Sequence, residues 1–229
     1  MLIKGLQKTT LLDFPSKVAC TVFTGGCNFR CPFCHNASLV TRMDNEYVIS
    51  EDALFDYLKK RSGILDGVCV TGGEPLLQND IADFCKRIKD LGLLVKLDTN
   101  GSKPEKLHEL ISLGLIDYIA MDIKNSKRLY PVTCGGVDLL KEAEESVSLI
   151  MSSGIPYEFR TTVVRELHNA ESIKELCSWI SGARKYYLQS FKDSGDLIEN
   201  GLSAYSEEEM RSLLAVAKEI LPVAELRGV

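Results

Sequence analysis

Three cysteines stand close together in the stretch GGCNFRCPFCHN. Cys27, Cys31 and Cys34 form a C-x3-C-x2-C loop. Thiolates this close can converge on one soft metal centre, and they suit iron–sulfur clusters and zinc. Three protein ligands would leave one iron of a cubane cluster open, as catalytic metal sites keep an open position. Such an iron can hold and activate a substrate. A Cys3His zinc site that includes His35 is the alternative.

Polar residues also end several short apolar runs. Gly72 and Gly73 would let a ligand approach the backbone closely. The carboxylate of Glu74 could pair with an ammonium group. The alternative is a turn with a solvated glutamate. Later runs contain Asp98, Thr99 and Asn100, then Asp122 and Lys124, then Arg160, and finally Gln189. Catalytic sites of α/β folds gather at the carboxyl ends of parallel strands, so we expect one shared cavity. For Arg160, an ion pair within the fold and a contact with a bound anion are both open.

The elements that would position these residues alternate along the chain. Runs rich in apolar and β-branched residues predict strands at 17–24, 67–71, 94–99, 117–123, 157–164 and 186–191. Amphipathic helical patterns follow Asn79 as an N-cap, Pro104 as a first helical residue, and a capping box formed by Ser206 and Glu209. Strands that alternate with helices favour a parallel sheet.

Six such units are too few for a complete eightfold barrel of about 250 residues. We therefore predict an α/β fold, a partial (β/α)6 TIM-type barrel, with an open doubly wound sheet as the alternative. A single domain should span residues 1–229, with the cysteine loop at 25–36 and the last strand and helix within 185–229.

Composition narrows the function classes. The chain has 229 residues and a formal net charge of −5, which argues against a generic basic nucleic-acid binder. No apolar run reaches the ~18 residues of a membrane helix, and the N-terminus lacks the apolar core of a signal peptide. Eight cysteines without an export signal indicate a reducing compartment. We therefore expect a cytoplasmic protein with no nucleic-acid or membrane partner.

Together, the cysteine loop and the later GGEP stretch resemble the radical S-adenosylmethionine (SAM) superfamily over essentially the whole chain. The resemblance implies a 4Fe–4S cluster held by Cys27, Cys31 and Cys34, with its unique iron chelated by SAM. Reductive cleavage of SAM would give methionine and a 5′-deoxyadenosyl radical that abstracts a hydrogen atom. An open iron of this kind should be oxygen-sensitive, so we expect the chain to work under anaerobic conditions.

The same resemblance assigns further roles. Phe33 would lie beside the cluster and the adenine, and the GGE motif would meet the SAM amino group. In activases of glycyl radical enzymes, stretches that match LDTNG and DIK contact SAM and can hold a monovalent cation. That match gives Asp98, Thr99 and Asp122 a possible cation role and Lys124 a SAM contact. The remaining cofactor-binding candidates are His35, Asn100, Arg160 and Gln189.

The combination of TTLLDFP, GGCNFRCPFCHN, TGGEPLLQ and LDTNG resembles the activating proteins of anaerobic (class III) ribonucleoside-triphosphate reductases. The resemblance implies a glycyl radical enzyme as partner, reduced flavodoxin or ferredoxin as electron donor, and Asp13 as a contact for the partner's glycine loop. No further ferredoxin-type cysteine motif lies between Cys34 and Gly72, so we expect only a short linker and one helix there.

Three alternatives stay open: a pyruvate formate-lyase-type activase, a small-molecule enzyme of the 7-carboxy-7-deazaguanine synthase kind, and a non-catalytic iron–sulfur or zinc protein. Some relatives have a histidine where Lys192 stands, which leaves the role of that residue open. We expect His108 and His168 to be structural or solvated. The cysteines outside the loop should be reduced thiols that bind no metal: Cys20, Cys69, Cys85, Cys134 and Cys177.

Overall fold

The computed structural model describes residues 1–41 and 48–229. In these residues one sheet carries eight strands, which neighbour each other in chain order. The strands are β1 (Ile3–Thr10), β2 (Ala19–Thr24), β3 (Gly67–Gly72), β4 (Leu94–Thr99), β5 (Tyr118–Asp122), β6 (Tyr157–Val163), β7 (Tyr186–Ser190) and β8 (Ala224–Arg227). Strand β1 runs antiparallel to β2, and every later neighbouring pair is parallel.

Helices connect the parallel strands. They are α1 (Ala37–Thr41), α2 (Glu51–Lys60), α3 (Ile81–Asp90), α4 (Pro104–Ser112), α5 (Tyr130–Thr133), α6 (Leu140–Ser152), α7 (Ala170–Trp179) and α8 (Glu207–Lys218), with short 3-10 turns at Pro75–Leu77 and Lys127–Leu129. This order confirms the predicted α/β fold with a partial TIM-type barrel. None of the helices in the described ranges is both long and apolar enough to cross a membrane.

Several details differ from the sequence expectation. The six predicted strands are β2 to β7, whereas the edge strands β1 and β8 were missed because β1 is largely polar and β8 has four residues. Asp80, not Asn79, is the N-cap of α3. Between Cys34 and Gly72 the structure has two helices, α1 and α2, rather than one. Part of that predicted linker, residues 42–47, lies outside the described residues.

The two faces of the sheet differ in chemistry. On the face covered by helices, apolar side chains such as Val70, Leu97 and Phe159 are fully buried. On the other face, β4 carries Lys96 and Asp98, which are two residues apart. Strand β6 carries Glu158 and Arg160 at the same spacing. Residues two apart in a strand share a face. The inner face of the barrel is therefore charged, although its strands read as nearly continuous apolar runs.

The capping box predicted for the last helix is present. The Ser206 hydroxyl accepts a hydrogen bond from Glu209 N, and the Glu209 carboxylate accepts one from Ser206 N at 2.7 Å. We expect Ser206→Ala to lower the free energy of unfolding by about 1 kcal/mol, because a first-turn amide loses its acceptor. Urea unfolding followed by circular dichroism measures this change.

The matched control is Ser212→Ala, since Ser212 is an exposed residue in the same helix whose hydroxyl donates a hydrogen bond to Glu208 O. We expect its effect to stay within about 0.5 kcal/mol. Equal losses in the two variants would contradict the capping role.

Candidate active site

One cavity opens at the carboxyl ends of the parallel strands. It is lined by Cys27, Phe29, Cys31, Phe33, Cys34, His35, Asn36, Val40, Gly72, Gly73, Asp98, Thr99, Asn100, Asp122, Lys124 and Thr162. We call it the thiol cavity. All but three of the site residues predicted from the sequence line it, the exceptions being Glu74, Arg160 and Gln189. Sequence reasoning missed Phe29, Asn36, Val40 and Thr162, although Thr162 shares a strand face with Arg160 and could have been found by that spacing.

The three loop cysteines are free thiols on the wall of this cavity. Phe29 N and the side-chain amide of Asn100 donate hydrogen bonds to Cys27 Sγ at 3.4 and 3.7 Å. Burial nevertheless raises the pKa of Cys27 to about 12. The neighbouring Cys134 thiol instead lowers the pKa of Cys31. A metal centre that bound these sulfurs as thiolates would therefore have to displace a proton from Cys27.

The GGE turn is packed directly against the cysteine loop. A Cβ atom on Gly73 would lie 1.9 Å from the carbonyl oxygen of Gly26, so only glycine fits there. Glu74 N donates a hydrogen bond to the same carbonyl at 2.8 Å, and Gly73 N donates one to Thr24 O at 2.9 Å. The turn after β3 therefore fixes the backbone that leads into Cys27.

This donor set fits an iron–sulfur cluster better than a single zinc ion. Three thiols face one cavity, and thiolates are the ligands of such clusters. The fourth zinc ligand would have to be His35, but its ring stacks on Phe191 with centroids 5.6 Å apart, and its Nε2 lies 2.8 Å from Lys192 O. Within residues 1–41 and 48–229, no group of three His, Cys, Asp or Glu side chains could hold a single metal ion.

Glu74 does not face the thiol cavity, which differs from its expected contact with the SAM amino group. Its carboxylate is fully buried and accepts three hydrogen bonds: from Leu76 N at 3.0 Å, from Thr99 Oγ1 at 2.8 Å and from Asn100 N at 2.7 Å. Burial raises the pKa of Glu74 to about 7, although the three donors act in the opposite direction. Its observed role is to fasten the end of β4 to the GGE turn.

A chain of alternating charges crosses the inner face of the barrel. Arg160 donates to Asp98 at 3.1 Å and to Asp122 at 2.9 Å, and these carboxylates also bind Lys96 and Lys124. Burial alone would raise the pKa of both carboxyl groups, but the neighbouring cations outweigh it and hold the values below the ordinary range. Arg160 thus forms an ion pair within the fold.

The monovalent cation stays a prediction. Each oxygen of Asp98 and Asp122 already accepts a hydrogen bond from a cationic side chain. An added cation would have to compete with those lysine and arginine side chains. Sequence reasoning missed Lys96, whose spacing of two from Asp98 was the available signal.

Gln189 lies in a second cavity, below the thiol cavity. We call it the lower cavity; its lining is Leu12, Asp13, Pro15, Lys96, Asp98, Glu158, Arg160, Gln189 and Arg227. Asp98 lines both cavities. Asp13 accepts a hydrogen bond from Thr21 Oγ1 at 2.5 Å, and Arg227 donates one to Glu158 at 2.9 Å. Gln189, expected to bind the cofactor, therefore lines the lower cavity rather than the thiol cavity, and its role stays a prediction.

None of the other histidines and cysteines lines the thiol cavity. His168 is buried: its Nδ1 accepts from Val164 N at 3.1 Å and its Nε2 lies 2.9 Å from Lys124 O, so it supports the backbone next to the cavity. His108 is exposed on α4. The five cysteines outside the loop are all buried and free: Cys20, Cys69, Cys85, Cys134 and Cys177.

The role of Glu74 can be tested by Glu74→Gln. The glutamine amide would present N–H groups to partners that are themselves donors, which leaves a buried backbone N–H unpaired. We expect the free energy of unfolding to fall by about 1–3 kcal/mol, measured by urea unfolding of the cluster-free chain. Glu145→Gln, at an exposed position on α6, is the control and should change little. An equally small effect at position 74 would contradict the fastening role.

Comparison with known proteins agrees with this geometry. The model of the Radical SAM superfamily matches residues 21–180. A Methanocaldococcus jannaschii protein, assigned by name to glycyl-radical enzyme activation, is 30% identical to this chain. The alignment covers 100% of this chain and 96% of that protein. The pyruvate formate-lyase-activating enzyme of Clostridium pasteurianum is 25% identical, with coverages of 96% and 98%.

Among solved structures, Streptococcus suis SuiB bound to S-adenosylmethionine superposes with a TM-score of 0.69 at 16% identity. The match covers 89% of this chain and 48% of that protein, and it supports the fold alone. The family match, the thiol cavity and the partial barrel agree with one another. The chain belongs to the Radical SAM superfamily and is an enzyme of the type that uses a 4Fe–4S cluster and S-adenosylmethionine.

Proposed function

We propose that this chain is an activase that generates a glycyl radical on a partner enzyme, and that the partner is an anaerobic ribonucleoside-triphosphate reductase. The observation that carries the activase assignment is similarity over nearly the whole length to two proteins named as activating enzymes. The TTLLDFP loop, together with the other matching motifs, supports the choice of reductase.

The arrangement of the two cavities supports a macromolecular substrate. The loop between β1 and β2 places Asp13 on the wall of the lower cavity, and Asp98 joins that wall to the thiol cavity. In the same loop, Leu11 and Leu12 are 71% and 91% exposed. Exposed apolar side chains beside a polar cavity are typical of a contact surface. The partner's glycine loop would approach along this side, with Asp13 as a contact.

The following groups on the thiol cavity have a task in the proposed reaction. Cys27, Cys31 and Cys34 would hold three irons of the cluster, which when bound supplies the electron that cleaves SAM. Gly72 and Gly73 line the cavity that would receive SAM, and glycine is required at both positions because a Cβ atom would collide with the backbone of Thr24 or Gly26. Phe33 forms an apolar wall. Lys124, held by Asp122 at 3.0 Å, presents a positive charge suited to the SAM carboxylate.

The electron donor would be reduced flavodoxin or ferredoxin, and the compartment an anaerobic cytoplasm. A donor is required because the cluster must be reduced once per cleavage of SAM, and anaerobic conditions are proposed because an open iron is sensitive to oxygen. The chain's own cysteines outside the loop are buried free thiols, so the electron would come from a separate protein.

The decisive experiment mixes the reconstituted chain, SAM and a reductant with a candidate class III reductase. We expect a glycyl radical signal in the electron paramagnetic resonance spectrum, together with 5′-deoxyadenosine. Cys31→Ala should abolish both, because the cluster loses a ligand. Cys85→Ala removes a buried thiol on α3 and should keep both, which makes it the matched control.

Other outcomes would redirect the assignment. A glycyl radical on pyruvate formate-lyase but not on the reductase would replace the proposed partner. Formation of 5′-deoxyadenosine without a radical on either protein would favour the small-molecule alternative of the 7-carboxy-7-deazaguanine synthase kind. Retention of SAM cleavage by Cys31→Ala would contradict the ligand assignment.

The role of Asp122 can be separated from that of the cluster. Asp122 holds both Lys124 and Arg160, and asparagine has only one oxygen to offer them. We expect Asp122→Asn to weaken SAM binding about tenfold, equivalent to about 1.4 kcal/mol, while iron and sulfide contents stay unchanged. Equilibrium dialysis with labelled SAM and colorimetric iron analysis measure the two quantities. Asp83→Asn, at an exposed position on α3, is the control, and unchanged SAM affinity in Asp122→Asn would contradict the proposal.

A further inference from the structure

One side-chain amide on the thiol cavity contacts the sulfur of a proposed cluster ligand. Asn100 follows β4, is buried and lines the cavity beside the cysteine loop. Its Nδ2 donates one hydrogen bond to Cys27 Sγ at 3.7 Å and another to Asn28 Oδ1 at 3.1 Å. Hydrogen bonds to sulfur are longer than those to oxygen because the sulfur atom is larger. An amide NH2 group has two N–H donors, so both donors of this amide have a partner.

The orientation of the Asn100 amide is fixed at its other end. Asn100 Oδ1 accepts a hydrogen bond from Ser102 N at 2.9 Å. The backbone is held as well, because Asn100 N donates a hydrogen bond to the buried carboxylate of Glu74 at 2.7 Å. Exchange of the amide oxygen and nitrogen would turn an N–H group toward Ser102 N, which is itself a donor. The hydrogen-bond network therefore directs an N–H group of Asn100, not its oxygen, to the sulfur of Cys27.

A hydrogen bond of this kind acts on the charge of the sulfur atom. Reduction of an iron–sulfur cluster adds an electron, and an N–H donor stabilises the part of that charge that reaches the cysteine sulfur. Hydrogen bonds to the sulfurs are among the factors that set the reduction potential of such clusters. Cys27 Sγ also accepts from Phe29 N at 3.4 Å, which is a backbone group of the cysteine loop itself. Asn100 adds a side-chain donor from the end of a strand.

We propose that Asn100 raises the reduction potential of the cluster by donating a hydrogen bond to Cys27 Sγ when Cys27 is bound to iron. The cluster then accepts an electron more readily from its donor protein. Because Asn100 acts through the sulfur of Cys27, it is a positioning residue and not a catalytic one. This role rests on the proposed binding of iron by Cys27 and is independent of the identity of the partner enzyme.

The test is a redox titration of the reconstituted full-length chain without SAM, followed by the electron paramagnetic resonance signal of the reduced cluster. Asn100→Leu keeps the branched shape of the side chain and removes both N–H donors. We expect its midpoint potential to shift to a more negative value than that of wild-type protein, at unchanged iron content. The matched control is Ser102→Ala, which removes a hydroxyl that bonds Asn28 in the same network. This variant keeps the Asn100 amide and should keep the wild-type potential.

Two results would overturn the proposal. One is an unchanged midpoint potential in Asn100→Leu; if SAM binding were weakened at the same time, Asn100 would be a SAM ligand instead. The other is an equal shift in Asn100→Leu and Ser102→Ala, which would indicate a general disturbance of the network. Failure of wild-type protein to assemble any cluster would be a different result, because it would contradict the ligand assignment of Cys27 and this role of Asn100 with it.

A second measurement does not depend on the folding of a variant. Wild-type protein is labelled with ¹⁵N at the side-chain amides of asparagine, and its cluster is reduced. We expect pulsed electron paramagnetic resonance to detect a ¹⁵N coupling, because electron spin reaches the amide nitrogen through the N–H···S contact. The coupling should be lost in Asn100→Leu, which retains the Asn28 amide. Absence of the coupling in wild-type protein, or its retention in Asn100→Leu, would contradict the proposed hydrogen bond.

Discussion

The charged inner face of the barrel depends on the ion pairs that Arg160 forms with Asp98 and Asp122. Ionised side chains in a buried place need partners, because losing one leaves a charge without compensation. Asp122 and Arg160 are register neighbours on adjacent parallel strands, so the pairing also fixes β5 against β6. Asp98 extends it to β4. The same charges that suit a polar substrate therefore tie three central strands together.

The cysteine loop has almost no regular structure and is positioned from several sides. The GGE turn contacts its Gly26. Its Asn28 bonds Ser102 at 2.8 Å, and its Arg30 N bonds the segment after α5. Its His35 stacks on Phe191 and lies 2.8 Å from Lys192 O, in the segment just after β7. A loop that must hold a metal cluster thus gains its rigidity from four other segments, in which a few glycines and amides replace secondary structure.

The sequence was most informative where chemistry and local pattern coincide. The cysteine spacing, the glycines after β3 and the alternation of strands and helices predicted the thiol cavity and the six central strands. It was least informative where the result depends on distant segments. Nothing local indicates that Glu74 turns away from the cavity toward Thr99 and Asn100, or that the carbonyl of Cys134 accepts a hydrogen bond from Arg30 N. Lys96 and Glu158 were missed for another reason: each lies in a mostly apolar run, which hid the charged inner face.

The sheet of the described residues has two edges, β1 and β8, that do not pair with each other. Asp13, from the loop after β1, and Arg227, from β8, both line the lower cavity. The place where the two edge strands face each other without pairing therefore lies beside this cavity. A closed ring admits only molecules small enough to fit inside it. A barrel that is open along one side sets no upper limit on the size of its substrate. A large protein can stay outside and place one projecting residue in the opening.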